Sequence, residues 1–314
     1  MPPVVDRSLL QHRLTRALWV LLAVFLVLGL AIRPTALGDT IDGRTLSALR
    51  PLDTPDTNAG WVALTKVGSP AAYLQFCLAL MLAAAVRRRW RWVLLAPLTM
   101  LASELTAQGI KQLTAGPRPG VAMSSLIGDA AWPSGHSTAA MTVALLAVLI
   151  APRRLRPLIA VLGAFGALGV GFGMVTVGAH YPTDIFGGYL WGAVWVTLAT
   201  VVVLEWQRRR PVVRPPDLAP VRRRHLAGPA LLLVLGALTA VSLAQRDADG
   251  VVGTVRDHTV AVVVLGGLVA LALTLVALTA SLPDAREDRR RTRLGRRRRP
   301  VDGAAPGPPA DGAG

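Results

Sequence analysis

Long apolar stretches free of charge alternate with short blocks of arginine along this chain, and that alternation constrains its fold more than any other feature. A run of about 20 uncharged residues matches the thickness of a bilayer's hydrocarbon core. Eight such runs occur: Ala17–Ile32, Val67–Val86, Trp92–Ile110, Ser137–Ala151, Leu158–Ala179, Ile185–Leu204, Leu226–Ala244 and Thr259–Leu282. The first and fourth are short and borrow flanking residues, and only the third carries an acid, Glu104. Lipid leaves no backbone amide a water partner, and the runs lack the period-two alternation of barrel strands, so each predicts a helix. The expected fold class is all-α, a polytopic membrane helical bundle of about eight transmembrane helices. With 53% hydrophobic and 17% charged residues over 314 positions, and a mean hydropathy of +0.48, a soluble globular enzyme is excluded.

The arginine blocks also give an orientation. With the N-terminus taken as cytoplasmic, 26 of the 34 Lys and Arg residues fall in cytoplasmic segments and 8 in outer loops. Both termini are therefore expected inside a cell membrane. Residues 1–16 form the cytoplasmic N-terminus, 17–204 a six-span core, 205–225 a basic linker, 226–282 two additional helices and 283–314 a disordered basic tail. The first stretch precedes further spans and an outer loop rich in acids (Asp39, Asp42, Asp53, Asp56), and reads as a span rather than a cleaved signal. Basic cytoplasmic segments attract anionic lipid headgroups. They lack the interleaved aromatics and reading module of a nucleic-acid binder. The single cysteine, Cys77, lies in an apolar run and reads as packing. A composition heavy in Arg and Ala and poor in Lys suggests a bacterium of high genomic GC content.

Polar residues at span ends carry the functional information. Three clusters share the outer side. Glu104, Gln108 and Lys111 lie at spacings of four and three on one helix face, followed by Gly116-Pro117-Arg118-Pro119. Lys111 reads either as a cation complementing a helix C-terminus or as a ligand for an anion. Trp132-Pro133-Ser134-Gly135-His136-Ser137 precedes the fourth span; Ser134 is placed to cap that helix, which is an ordinary helix start or an anion cradle. His180-Tyr181-Pro182-Thr183-Asp184 opens the sixth span. Pro182 and Asp184 suit a first turn, while the four-residue spacing also lets the carboxylate orient the imidazole as a nucleophile or base. Two cations, a helix N-terminus and two histidines around one spot suit a phosphoryl group. No Cys/His/carboxylate cluster calls for a metal or cofactor.

The three clusters resemble the motifs of the membrane-bound type 2 phosphatidic acid phosphatase family, which shares its site with vanadium haloperoxidases. KQLTAGPRP from Lys111 to Pro119 fits KxxxxxxRP, Pro133–His136 reads PSGH, and His180–Asp184 fits HxxxD. The resemblance covers roughly Asp39 to Leu204 and implies a six-helix phosphatase core. It implies that His180 attacks phosphorus to form a phosphohistidine, Asp184 orients His180, and His136 protonates the leaving alkoxide. Lys111, Arg118, Ser134 and Gly135 would hold the phosphoryl oxygens. The implied substrate is a lipid phosphate or diphosphate, such as polyprenyl diphosphate, phosphatidate or phosphatidylglycerol phosphate, and no metal is required.

The sequence departs from the family at one position of the full third motif, SRxxxxxHxxxD. Met174 stands where the arginine belongs and Gly173 where the serine belongs, and no Lys or Arg occurs between Leu158 and Leu204. Arg44 or Arg50 of the first outer loop is a candidate substitute. Two readings follow: a phosphatase that manages without that arginine, and an impaired member that binds a lipid phosphate or a partner without turnover. A transporter would need an internal repeat and a midplane site, and neither is visible in the sequence. The two helices beyond the core carry no comparable polar cluster.

Overall fold

The computed structural model describes residues 7–116, 127–209 and 258–282, which contain helices and no strand. Helix α1 (Arg7–Val27) runs on into a π turn (Leu28–Ile32). It is followed by α2 (Ala36–Leu49), a 3₁₀ turn (Arg50–Leu52), α3 (Asn58–Lys66) and α4 (Pro70–Val86). Then come α5 (Trp90–Leu113), α6 (Gly135–Ile150), α7 (Arg156–Thr176), α8 (Pro182–Arg209) and α9 (Thr259–Ser281). Among the described residues five helices, α1, α5, α7, α8 and α9, are long and apolar enough to cross a membrane, and the pair α3–α4, bent by 47°, makes a sixth when taken as one span. The chain is a multi-pass membrane protein. A helix stands at each expected span from Ala17 to Leu204 and at Thr259–Leu282. The expected span Leu226–Ala244, the linker beyond Arg209 and the tail 283–314 lie outside the described residues.

Local chemistry sets the boundaries. Ser69 accepts from the Ala72 amide with Pro70 at the first helical position, so α4 begins afresh at the bend. The stretch expected as an outer loop instead forms α2, with Asp39 and Asp42, and α3, while Asp53 and Asp56 lie between the two helices. Thr35 caps α2 by accepting from Gly38, and Asp42, Thr45 and Leu46 line its buried face while Arg44 and Ser47 remain exposed. Acidic residues there mark a segment outside the apolar layer, and a helix with one buried and one exposed face satisfies the same pattern.

Helix α6 is the axle of the bundle. It is apolar on every face and packs against α4, α5, α7, α8 and α9, with Met141, Leu146 and Val148 fully buried. Apolar helices gain little from burying one another in lipid, so close approach matters. On α8, a Cβ added to Gly188 would lie 2.7 Å from the Ser134 carbonyl oxygen, and one on Gly192 would lie 3.0 Å from that of Thr138. These two glycines let the α8 backbone touch the start of α6. Helix α1 joins through Phe25, whose ring stacks on Trp132 at 4.5 Å and on Trp191 at 4.7 Å. Cys77 is half-buried and packs against the core.

At the end of the bundle opposite the three clusters, arginines close helix termini. Arg89 donates to the Leu149 carbonyl (2.6 Å), and Arg156 donates to Leu149 (3.3 Å) and to Leu282 (2.7 Å). Both are buried and satisfy last-turn carbonyls of α6 and α9 that have no partner within their helices. Arg91 stacks over Trp206 at 5.5 Å. Part of the basic pattern that signals orientation is thus structural, and Arg156 ties α9 to the core.

Candidate active site

Helices α5, α6 and α8 bring the three clusters together at one end of the bundle. Glu104, Gln108 and Lys111 project from one face of α5 onto the first residue of α6. A Cβ on Gly135 would lie 2.9 Å from Glu104 Oε1, 3.2 Å from Gln108 Nε2 and 3.5 Å from Lys111 Nζ. Any side chain there would occupy the space between the α6 N-terminus and that polar face. Gln108 Nε2 donates to Glu104 Oε1 at 2.6 Å, which fixes the carboxylate beside the lysine.

Ser134 caps α6, its hydroxyl oxygen accepting from the Ser137 amide (3.3 Å) and its carbonyl from Thr138 Oγ1 (2.9 Å). Its own amide donates to the Asp184 carbonyl at 2.9 Å, joining the second cluster to the third. Thr114 Oγ1, one turn beyond Lys111, donates to the Trp132 carbonyl at 3.1 Å and joins the first to the second. The first-turn amides of α6 thus open toward Lys111 with a helix dipole behind them.

The third cluster follows the end of α7. Gly178 turns the chain at φ 71°, and the amides of Ala179 and His180 both donate to the Met174 carbonyl, at 2.9 and 3.2 Å. His180 Nδ1 then lies 3.3 Å from Asp184 Oδ2, near the long limit of a hydrogen bond. The same oxygen accepts from the Tyr181 amide at 3.0 Å, and Asp184 is fully buried. A carboxylate anchored in this way favours the tautomer with the proton on Nδ1 and the lone pair on Nε2. His136 lies within electrostatic range of both His180 and Lys111, and Lys111 within range of Asp184 and Glu104.

Lys111, Ser134, Gly135, His136, His180 and Asp184 therefore occupy one neighbourhood, as their spacing and span ends led one to expect. Arg118 lies outside the described residues. Met174 is buried, 5% exposed, in the core. Of the candidate substitutes for the motif arginine, Arg44 is exposed, while Arg50 donates to the Thr176 carbonyl (3.2 Å) and pairs with Asp53 (3.3 Å). Sequence reasoning missed two residues. Arg33, buried, donates to the Thr114 carbonyl (3.4 Å) and lines a small surface hollow with Gly116, Asp129, Ala131 and Tyr181. Asp42, fully buried, accepts from Thr183. In the sequence each is one more charged residue beside a span, and only the fold separates them from their neighbours.

Comparison with known proteins agrees with this fold. Among solved structures the chain is similar to a transmembrane PAP2 type phosphatidylglycerolphosphate phosphatase from Bacillus subtilis, with a TM-score of 0.53 and 23% identity. The likeness, one of fold, covers 62% of this chain and 98% of that one. None of the curated proteins compared matches the chain. The family model of the PAP2 superfamily matches residues 72–208, a segment that contains all three clusters. Over that segment the chain is similar to the PAP2 superfamily.

Proposed function

We propose that this protein is an integral membrane phosphatase that hydrolyses lipid phosphates or diphosphates through a phosphohistidine on His180. The observation that carries the reading is the buried Asp184 carboxylate held against His180 Nδ1 while the α6 N-terminus and Lys111 face the same space. Nε2 of His180 attacks phosphorus and forms an N–P bond as the ester or anhydride P–O bond breaks. Burial, with His180 and Lys111 nearby, pushes the pKa of the His136 imidazole down to about 4; the bound phosphate anion favours its charged form, which gives its proton to the departing lipid oxygen. Lys111, the Ser134 hydroxyl and the Gly135 amide hold the equatorial oxygens, with Arg118 as a further cation from the same motif. Water then attacks phosphorus and passes a proton to His136. The N–P bond breaks, inorganic phosphate leaves, and His180 recovers its lone pair.

The site end is the end away from Arg89 and Arg156. The Lys/Arg asymmetry supports placing it on the extracytoplasmic face of the cell membrane, with basic segments against anionic headgroups inside. The test is phosphate release by the purified, detergent-solubilised protein from polyprenyl diphosphate, phosphatidate and phosphatidylglycerol phosphate, run beside His180→Ala and Met174→Arg. Release by the native chain that His180→Ala abolishes is the expected result. Met174 favours a second reading, a lipid-phosphate binding protein without turnover. That reading predicts a silent native chain and activity only in Met174→Arg.

A further inference from the structure

The start of α8 carries Asp184, and its first turn is held by a residue from outside the family-matched segment. Pro182 takes the first helical position and brings no amide hydrogen, which leaves Thr183 and its successors to find acceptors. Tyr181, in the capping position, has no accepting side chain there. Asp184 reaches back to the Tyr181 amide (3.0 Å), which is half of a capping box. The other half comes from 141 residues away: Asp42 Oδ1 accepts from the Thr183 amide (2.9 Å) and Oδ2 from the Thr183 hydroxyl (2.7 Å). Asp42 is fully buried and Thr183 nearly so, and α2, which carries Asp42, packs on α7, α8 and α9.

We infer that Asp42 is a positioning residue for the catalytic pair, fixing the first turn of α8 so that Asp184 stays aligned with His180. The inference rests on the phosphatase reading and deepens it. Thr183 is bonded directly to Asp184, so any rotation of this turn swings the carboxylate. The Asp184–His180 contact, at 3.3 Å, has no slack to absorb that swing. A second buried carboxylate at a helix N-terminus is favoured by the dipole and by two donors, and its own alignment is bidentate. Among the described residues the ground-state phosphate contacts, Lys111, Ser134 and Gly135, lie at the end of α5 and the start of α6, so loss of Asp42 falls on the attacking nitrogen and leaves those contacts intact.

The experiment uses the full chain in detergent, with Asp42→Ala, Asp42→Asn, Thr183→Val, Thr183→Ser and the double variant Asp42→Ala/Thr183→Val. A misplaced nucleophile predicts a fall in kcat of at least about tenfold, approaching 10²-fold, with KM held within about threefold. Thr183→Ser, which keeps both donors, retains wild-type turnover. The double variant is no worse than the poorer single one, because both changes remove one interaction. An unchanged kcat in folded Asp42→Ala or Asp42→Asn, losses that multiply in the double variant, or a rise in KM alone would overturn the inference. Binding of orthovanadate and of inorganic phosphate, measured by equilibrium dialysis, gives a readout without turnover. Vanadate, which mimics five-coordinate phosphorus, is expected to weaken about tenfold in Asp42→Asn while phosphate changes less than about twofold. A native chain that binds vanadate but releases no phosphate ends the phosphatase reading, and the vanadate shift still decides the role of Asp42. A native chain that does not bind vanadate overturns both.

Discussion

Gly135→Ala separates stability from activity at this site, because one added methyl group acts on the two in opposite directions. The backbone at Gly135 lies in a conformation open to alanine, so the substitution brings no dihedral strain. Replacing glycine in a helix lowers the entropy lost on folding and stabilises by up to about 1 kcal/mol, less at a first-turn position. The new Cβ lies 2.9 Å from Glu104 Oε1, closer than real Cβ atoms approach, and 3.5 Å from Lys111 Nζ. The α5 polar face must recede by a few tenths of an ångström, and the methyl stands between the ammonium and the α6 amides. Displacing one preorganised donor costs about 10²–10³ in rate, or about 2.7–4 kcal/mol. Gly135→Ala is therefore expected to melt at or above the native temperature in detergent while kcat/KM for phosphate release falls at least about 10²-fold. Gly109→Ala is the control: it makes the same change on α5, where a Cβ meets nothing within 4 Å, and leaves turnover unaltered. Activity within about threefold of native in Gly135→Ala would refute the claim that phosphate is held in the space under Gly135.

Lys111→Met keeps the length of the side chain and removes its charge; kcat/KM is expected to fall about 10²–10³-fold, and a loss below about tenfold would remove Lys111 from the phosphate cradle. Arg156→Ala removes the donor to the Leu282 carbonyl at the far end of the bundle and leaves the Leu149 carbonyl to Arg89. It is expected to cost about 1–3 kcal/mol of stability, read as a lower melting temperature with kcat unchanged. Arg156→Lys restores little of that loss, since one ammonium cannot fork to two helix ends as a guanidinium does.

What the sequence made legible follows the range of the interactions. The His180–Asp184 pair and the Ser134 cap depend on spacings of three or four residues across a helix start, so they are readable from the local sequence. The meeting of Lys111, Gly135 and His180 was legible because charge asymmetry puts their span ends on one side. The central place of α6 was not, since a uniformly apolar helix has no face to read. Nor was α2, where acidic residues looked like a loop. Arg89 and Arg156 were read only as orientation signals, and nothing in a run of arginines distinguishes those that fold back onto helix ends.

The segment before the family-matched region explains why the site cannot be reduced to its three motifs. Between residues 33 and 52 the chain sends one side chain to three of the four helix ends that carry or adjoin a cluster. Arg33 donates to Thr114 just past α5, Asp42 accepts from Thr183 at the start of α8, and Arg50 donates to Thr176 at the end of α7. Each bond spans 81 residues or more of sequence and lies at the same end of the bundle. The partners are backbone groups or a turn hydroxyl, so these bonds fix where the helices stop rather than which side chains they display. Helix α7 lacks the motif arginine, yet the guanidinium of Arg50 arrives two residues beyond Met174 and that of Arg33 three residues beyond Lys111. Both arginines belong to elements that no motif search over residues 72–208 includes. A core cut at residue 72 would keep every motif residue and lose all three ties, which makes the preceding segment part of the site's architecture rather than a membrane anchor attached to it.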